Sequence, residues 1–146
     1  MQLKYVTIIL LLFSPTLCFT QNIKFTNKNI GRKIFQKTEY GETQSTYLGK
    51  IEDKNKKILF YVIKEFRRIK AARVYHGNSW LIFYGPDKKF KAQYHFDMPN
   101  ELPFKLNINT LYFYNTDKKP AKLLTLIIDN QLPKQIFNSS QISFTQ

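Results

Sequence analysis

Cysteine is nearly missing: Cys18 is the only one in 146 residues, so no disulfide can close within the chain. Glycine and proline are also scarce, at 5 and 6, and no glycine-rich phosphate loop, internal repeat or low-complexity tract is present. Two histidines, without Cys/His ligand spacing, leave no metal motif, and the 10 acids form no paired-carboxylate motif. No cofactor or metal is therefore expected. The longest apolar stretch, Val6–Phe13, is far short of the ~20 residues a membrane-spanning helix needs.

That stretch has another reading. Lys4 precedes it, Ser14-Pro15 follows, and Cys18 and Thr20 supply small residues where a signal peptidase would cut. Residues 1–20 are expected to be a signal peptide, with the product periplasmic or extracellular. Residues 21–146 then make one compact β-rich domain without any thiol, held by its core alone.

What is abundant is aromatic and basic. The chain holds 13 Phe and 9 Tyr, too many for disorder. Lys and Arg outnumber Asp and Glu by 23 to 10, a surplus that suits an anionic surface, a polysaccharide or an acidic protein. No specific nucleic-acid motif accompanies it. Many lysines fall in turn-like clusters (Lys54, Lys56 and Lys57; Lys88 and Lys89), where they point into solvent by default. Arg67, Arg68 and Arg73 form the densest arginine cluster and are the candidate anion contacts.

Strand signals run along the chain. Thr46–Ile51, the apolar run Ile58–Ile63, Ile69–Tyr75, Trp80–Tyr84, Phe90–Phe96, Leu106–Tyr114 and Leu123–Ile128 read as strands, with a short last one at Ile142–Phe144. Seven or eight strands predict a small antiparallel β-barrel or β-sandwich. An α+β alternative places a basic amphipathic helix near residues 59–73, because Leu59, Val62, Ile63, Phe66 and Ile69 share one helical face. The strand reading of Ile58–Phe66, followed by a bend at Arg67-Arg68, is preferred because a helix would turn Phe60 and Tyr61 to its polar side.

Two turns set the expected register. A two-residue turn at Gly77-Asn78 would oppose His76 to Ser79 and Tyr75 to Trp80. A second turn, Gly85–Lys89, would oppose Tyr84 to Phe90, Trp80 to Tyr94 and Ser79 to His95. One face would then carry Tyr75, Trp80 and Tyr94, an aromatic layer better suited to the core than to a stacking platform. The other would carry His76, Ser79 and His95, with Asp97 beyond. Those four have the ingredients of a small hydrolase, but no nucleophile elbow or oxyanion loop supports it. The composition thus predicts a non-enzymatic binding or accessory module drawn to anionic partners.

Overall fold

A computed structural model describes residues 23–71, 74–115, 120–137 and 141–144. The leader expected at residues 1–20 and Arg73 lie outside them. Nine strands occupy the described residues: β1 (Lys33–Thr38), β2 (Gly41–Glu52), β3 (Ile58–Ala71), β4 (Val74–Tyr84), β5 (Phe90–Phe96), β6 (Lys105–Asn107), β7 (Thr110–Asn115), β8 (Lys122–Ile127) and β9 (Gln141–Phe144). They form two antiparallel sheets, one of six strands in the order β1-β2-β3-β4-β5-β9 and one of three in the order β6-β7-β8. The large sheet ends on β1 and β9, which do not pair among the described residues, so it stays open; of the barrel and the sandwich expected, the closed barrel is not formed. No helix among the described residues is long and apolar enough to cross a membrane.

β3 settles the strand-or-helix question over residues 59–71. Ile58–Ala71 is one 14-residue strand, so the preferred strand reading holds and the alternative helix does not form there. Extension gives both doubtful rings a home. Phe60 meets Phe83 edge-on at 6.1 Å, and Tyr61 stacks on Phe25 at 4.6 Å on the opposite face. The expected bend at Arg67-Arg68 is also absent. Arg68 lies directly across from Glu42 on β2 and pairs with it at 3.0 Å, which carries the strand through.

The first expected turn needs correction. Ala71 pairs with Val74, so the stretch Ile69–Tyr75 expected as one strand is divided between β3 and β4, and Gly77-Asn78 lies inside β4 opposite Arg68 and Arg67. Gly77 serves packing: a Cβ there would stand 3.0 Å from the Phe66 ring. The second turn forms as expected, with Gly85 N–H donating to the Lys89 carbonyl at 2.8 Å and Tyr84 opposite Phe90. A β-bulge follows at once. Phe83 pairs with Ala92, and every later pair is displaced by one residue, so Trp80 opposes His95 and Ser79 opposes Phe96. Leu106–Tyr114, expected as one strand, is split into β6 and β7 by a turn at Ile108-Asn109.

Burial follows from this register. Val62, Leu81, Phe83, Ala92, Tyr94 and Phe96 point from the large sheet into one apolar cluster with Leu111 and Phe113 of the small one. Asn109 fastens the two sheets: its amide donates to the Glu52 carbonyl at 2.8 Å, and Glu52 N–H donates back to Oδ1 at 3.2 Å. The other face of the large sheet has a smaller cluster of Tyr47, Tyr61 and Ile63, partly roofed by Ile23 and Phe25.

Candidate functional site

The face of the large sheet turned away from the small sheet carries the candidate site. Register places Ile34, Ser45, Glu65, Trp80 and His95 in one row across β1 to β5. Directly opposed residues share a face, so these five side chains are neighbours. Glu65 is 6% exposed and Ser45 is fully buried beside it. A buried carboxylate needs donors, and it has them. Ser45 Oγ donates to Oε2 at 2.9 Å, and Arg67 Nε donates to Oε1.

Arg67 links that carboxylate to the aromatic part of the row. Its guanidinium lies 5.8 Å from the centre of the Trp80 ring. Trp80 meets the His95 ring edge-on at 4.8 Å, and its indole N–H is buried without a hydrogen-bond partner. His95 Nε2 stands 3.4 Å from Asn78 Oδ1, and Nδ1 is 4.0 Å from Asp97 Oδ1.

Beside the row opens a cleft of about 760 Å³. Ile63 and Ile82 form its floor, and Phe25, Tyr84 and Phe90 form apolar walls. Glu65, Arg67 and Gln93 bring polar groups to it, while Lys88 and Lys89 stand at its rim on the Gly85–Lys89 turn. One acid against three cations makes this cleft electropositive. A largely apolar hollow with a few convergent polar groups is the usual form of a small-molecule site.

The residues singled out from sequence are distributed differently from expectation. Ser79 is buried on the core face, its hydroxyl unpartnered, whereas His95 projects on the opposite face. His76 is exposed opposite Ile69, toward the far end of β4. His76, Ser79, His95 and Asp97 therefore do not form one row, because the bulge and the displaced turn each change the register. The aromatic layer is likewise separated. Tyr94 is in the core with its hydroxyl donating to the Pro133 carbonyl at 2.7 Å, Trp80 is on the other face, and Tyr75 is exposed under Arg68 at 5.0 Å. Arg67 and Arg68 project to opposite faces. Among the described residues no three His, Cys, Asp or Glu side chains gather closely enough to hold a metal.

Sequence reasoning passed over Glu65 and Ser45. A signal was there: Glu65 and Arg67 are two apart, hence on one face of a strand, and Glu65 adjoins a run buried on both faces. No family model matches this chain, and no curated protein or solved structure matches it.

Proposed function

We propose that this chain is a non-enzymatic binding module whose ligand is an anionic amphiphile held in the cleft of the large sheet. The observation that carries the reading is the pairing of an apolar floor, Ile63 and Ile82, with the cations Arg67, Lys88 and Lys89 in one hollow. The apolar body of the ligand would displace water from the floor and the Phe25, Tyr84 and Phe90 walls, while its carboxylate or phosphate meets the lysines. Glu65 acts as a positioning residue, fixing the Arg67 fork through Nε and leaving its other donors to the ligand. The leader pattern at residues 1–20 supports export, so the module would act in the periplasm or outside the cell.

The chain has its own reporter. Trp80 is the only tryptophan, and it touches Arg67 at the cleft's edge. Titration with a single-chain fatty carboxylate should change its fluorescence, and a cationic amphiphile of the same chain length should bind about tenfold more weakly or worse. Lys88→Glu with Lys89→Glu should lower carboxylate affinity by about tenfold without changing the fold. Equal affinities for the two amphiphiles would sink the reading.

A further inference from the structure

The face of the large sheet opposite the cleft carries a second cluster, independent of the first. Lys33 lies directly across from Thr46, and Thr46 directly across from Lys64, so the three side chains share one row and one face. The row continues through Leu81 to Tyr94, both fully buried, and so leads from solvent at β1 into the core. Lys33 is exposed, Lys64 is half-buried and Thr46 is only 4% exposed.

Each member of the row lacks a counterpart. Thr46 Oγ1 is buried without a hydrogen-bond partner, and a buried hydroxyl costs free energy until it meets one. The Lys64 ammonium donates to the Pro103 carbonyl at 3.2 Å, which occupies one of its three protons and brings no counter-charge. Burial first, and then the charge of Lys33, lowers the Lys64 pKa below 10.5, so the two ammoniums act on each other. Among the described residues no carboxylate pairs with either lysine. Glu42, on the same face of β2, is four residues from Thr46, roughly 13 Å along an extended strand, and is held by Arg68. Glu65, adjacent to Lys64 in the chain, projects to the cleft face.

Charge and donors together identify what completes the row. A water molecule would meet the hydroxyl but leave two like charges flanking one strand without compensation. A carboxylate would balance one of them. A doubly charged oxyanion balances both and has acceptors to spare for the hydroxyl. We infer that Lys33, Thr46 and Lys64 form a binding site for a doubly charged oxyanion, either free phosphate or the phosphate group of a small monoester. Phe35, two residues beyond Lys33 on the same face and 61% exposed, offers a ring for the body of such an ester to lie against.

The test is thermal unfolding of the full chain in phosphate, glycerol phosphate or acetate, each against chloride at matched ionic strength and at a pH where phosphate is mainly a dianion. Phosphate should raise the melting temperature of the parent in a saturable way, and acetate should not. Lys33→Gln should weaken the apparent phosphate affinity about tenfold, whereas Lys54→Gln, which removes the same charge from an exposed turn, should leave it unchanged. Lys33→Glu puts a carboxylate into the row itself. It should raise the melting temperature in chloride and abolish the phosphate response, a split that damage to the fold cannot produce. Tighter binding of glycerol phosphate than of phosphate would identify a monoester as the ligand, and equal binding the free ion. Equal stabilisation by acetate and phosphate, or an undiminished phosphate response in Lys33→Gln, would overturn the inference, since the positive surplus would then act only as a diffuse field.

Discussion

A carboxylate taken out of water is costly unless its oxygens meet donors, and Glu65 depends on two, Ser45 Oγ and Arg67 Nε. The two partners differ in kind. Ser45 is wholly buried, whereas the Arg67 side chain is 40% exposed, so solvent weakens the ion pair and can rehydrate the arginine if it is freed. Arg67→Gln should therefore cost about 1–2 kcal/mol, mostly from the carboxylate left short of a donor. Glu65→Ala should cost about 2–3 kcal/mol, because it removes both the Ser45 hydrogen bond and the Arg67 ion pair and leaves a gap in a packed face. Adding Glu65→Gln to Arg67→Gln should restore part of the loss, since a neutral amide needs no cation. Urea unfolding with an unchanged slope reads all three, and an Arg67→Gln midpoint equal to that of the parent would show that the pair does not hold Glu65.

At the scale of the strand, the sensitive point is the start of β2. A Cβ on Gly41 would stand 2.1 Å from the Arg68 carbonyl oxygen, which is backbone and cannot swing aside. Gly41→Ala should push β2 from β3 there and loosen the Glu42–Arg68 pair, at a cost of roughly 2–3 kcal/mol. Hydrogen exchange checks it: the Lys70 amide, which donates to the Tyr40 carbonyl at 2.7 Å, should lose protection while β5 keeps its own. The same elements show what was legible in the sequence. Ile58–Ile63 reads as a strand because its residues suit a surface packed on both sides, and Gly85–Lys89 reads as a turn because its backbone demands those residues. Gly77-Asn78 misleads, since its glycine answers to the Phe66 ring rather than to a reversal. The bulge opposite Phe83 leaves no trace at all, as the extra residue is an ordinary lysine, Lys91. One unmarked residue thus moves Trp80 from Tyr94 to His95. The site was illegible for the same reason: an acid among cations, as in Lys64-Glu65-Phe66-Arg67, reads as solvated until its strand is known to lie centrally in a sheet.

Across the whole molecule the large sheet separates two apolar layers, and each contains a tyrosine kept from ionising. Burial pushes the Tyr47 hydroxyl from 10.0 up to about 12, helped by nearby Tyr61 and Glu52, and burial alone raises Tyr94. Lys64 works in the opposite sense: burial first, then the Lys33 charge, lowers its pKa below 10.5, although its ammonium donates to the Pro103 carbonyl at 3.2 Å. The signs follow from proton uptake. Between its lowered pKa and 10.5, Lys64 holds fewer protons when folded than when unfolded, so its share of stability grows as pH rises. Above 10 the tyrosines hold more protons folded than unfolded, so their share is complete below that pH and is lost on the way to 12. For Tyr47 the loss amounts to at most about 3 kcal/mol. The urea midpoint should therefore climb gently with pH on the alkaline side, turn over near 10 and fall steeply beyond, with the tyrosinate absorbance of Tyr47 and Tyr94 appearing only as the chain unfolds. Tyr47→Phe should flatten the fall, and Lys64→Met should remove the climb while raising the midpoint at neutral pH. Tyrosinate absorbance that develops fully at pH 10 in a chain still folded would mean that both rings are open to solvent, and with them the two layers on either side of the sheet.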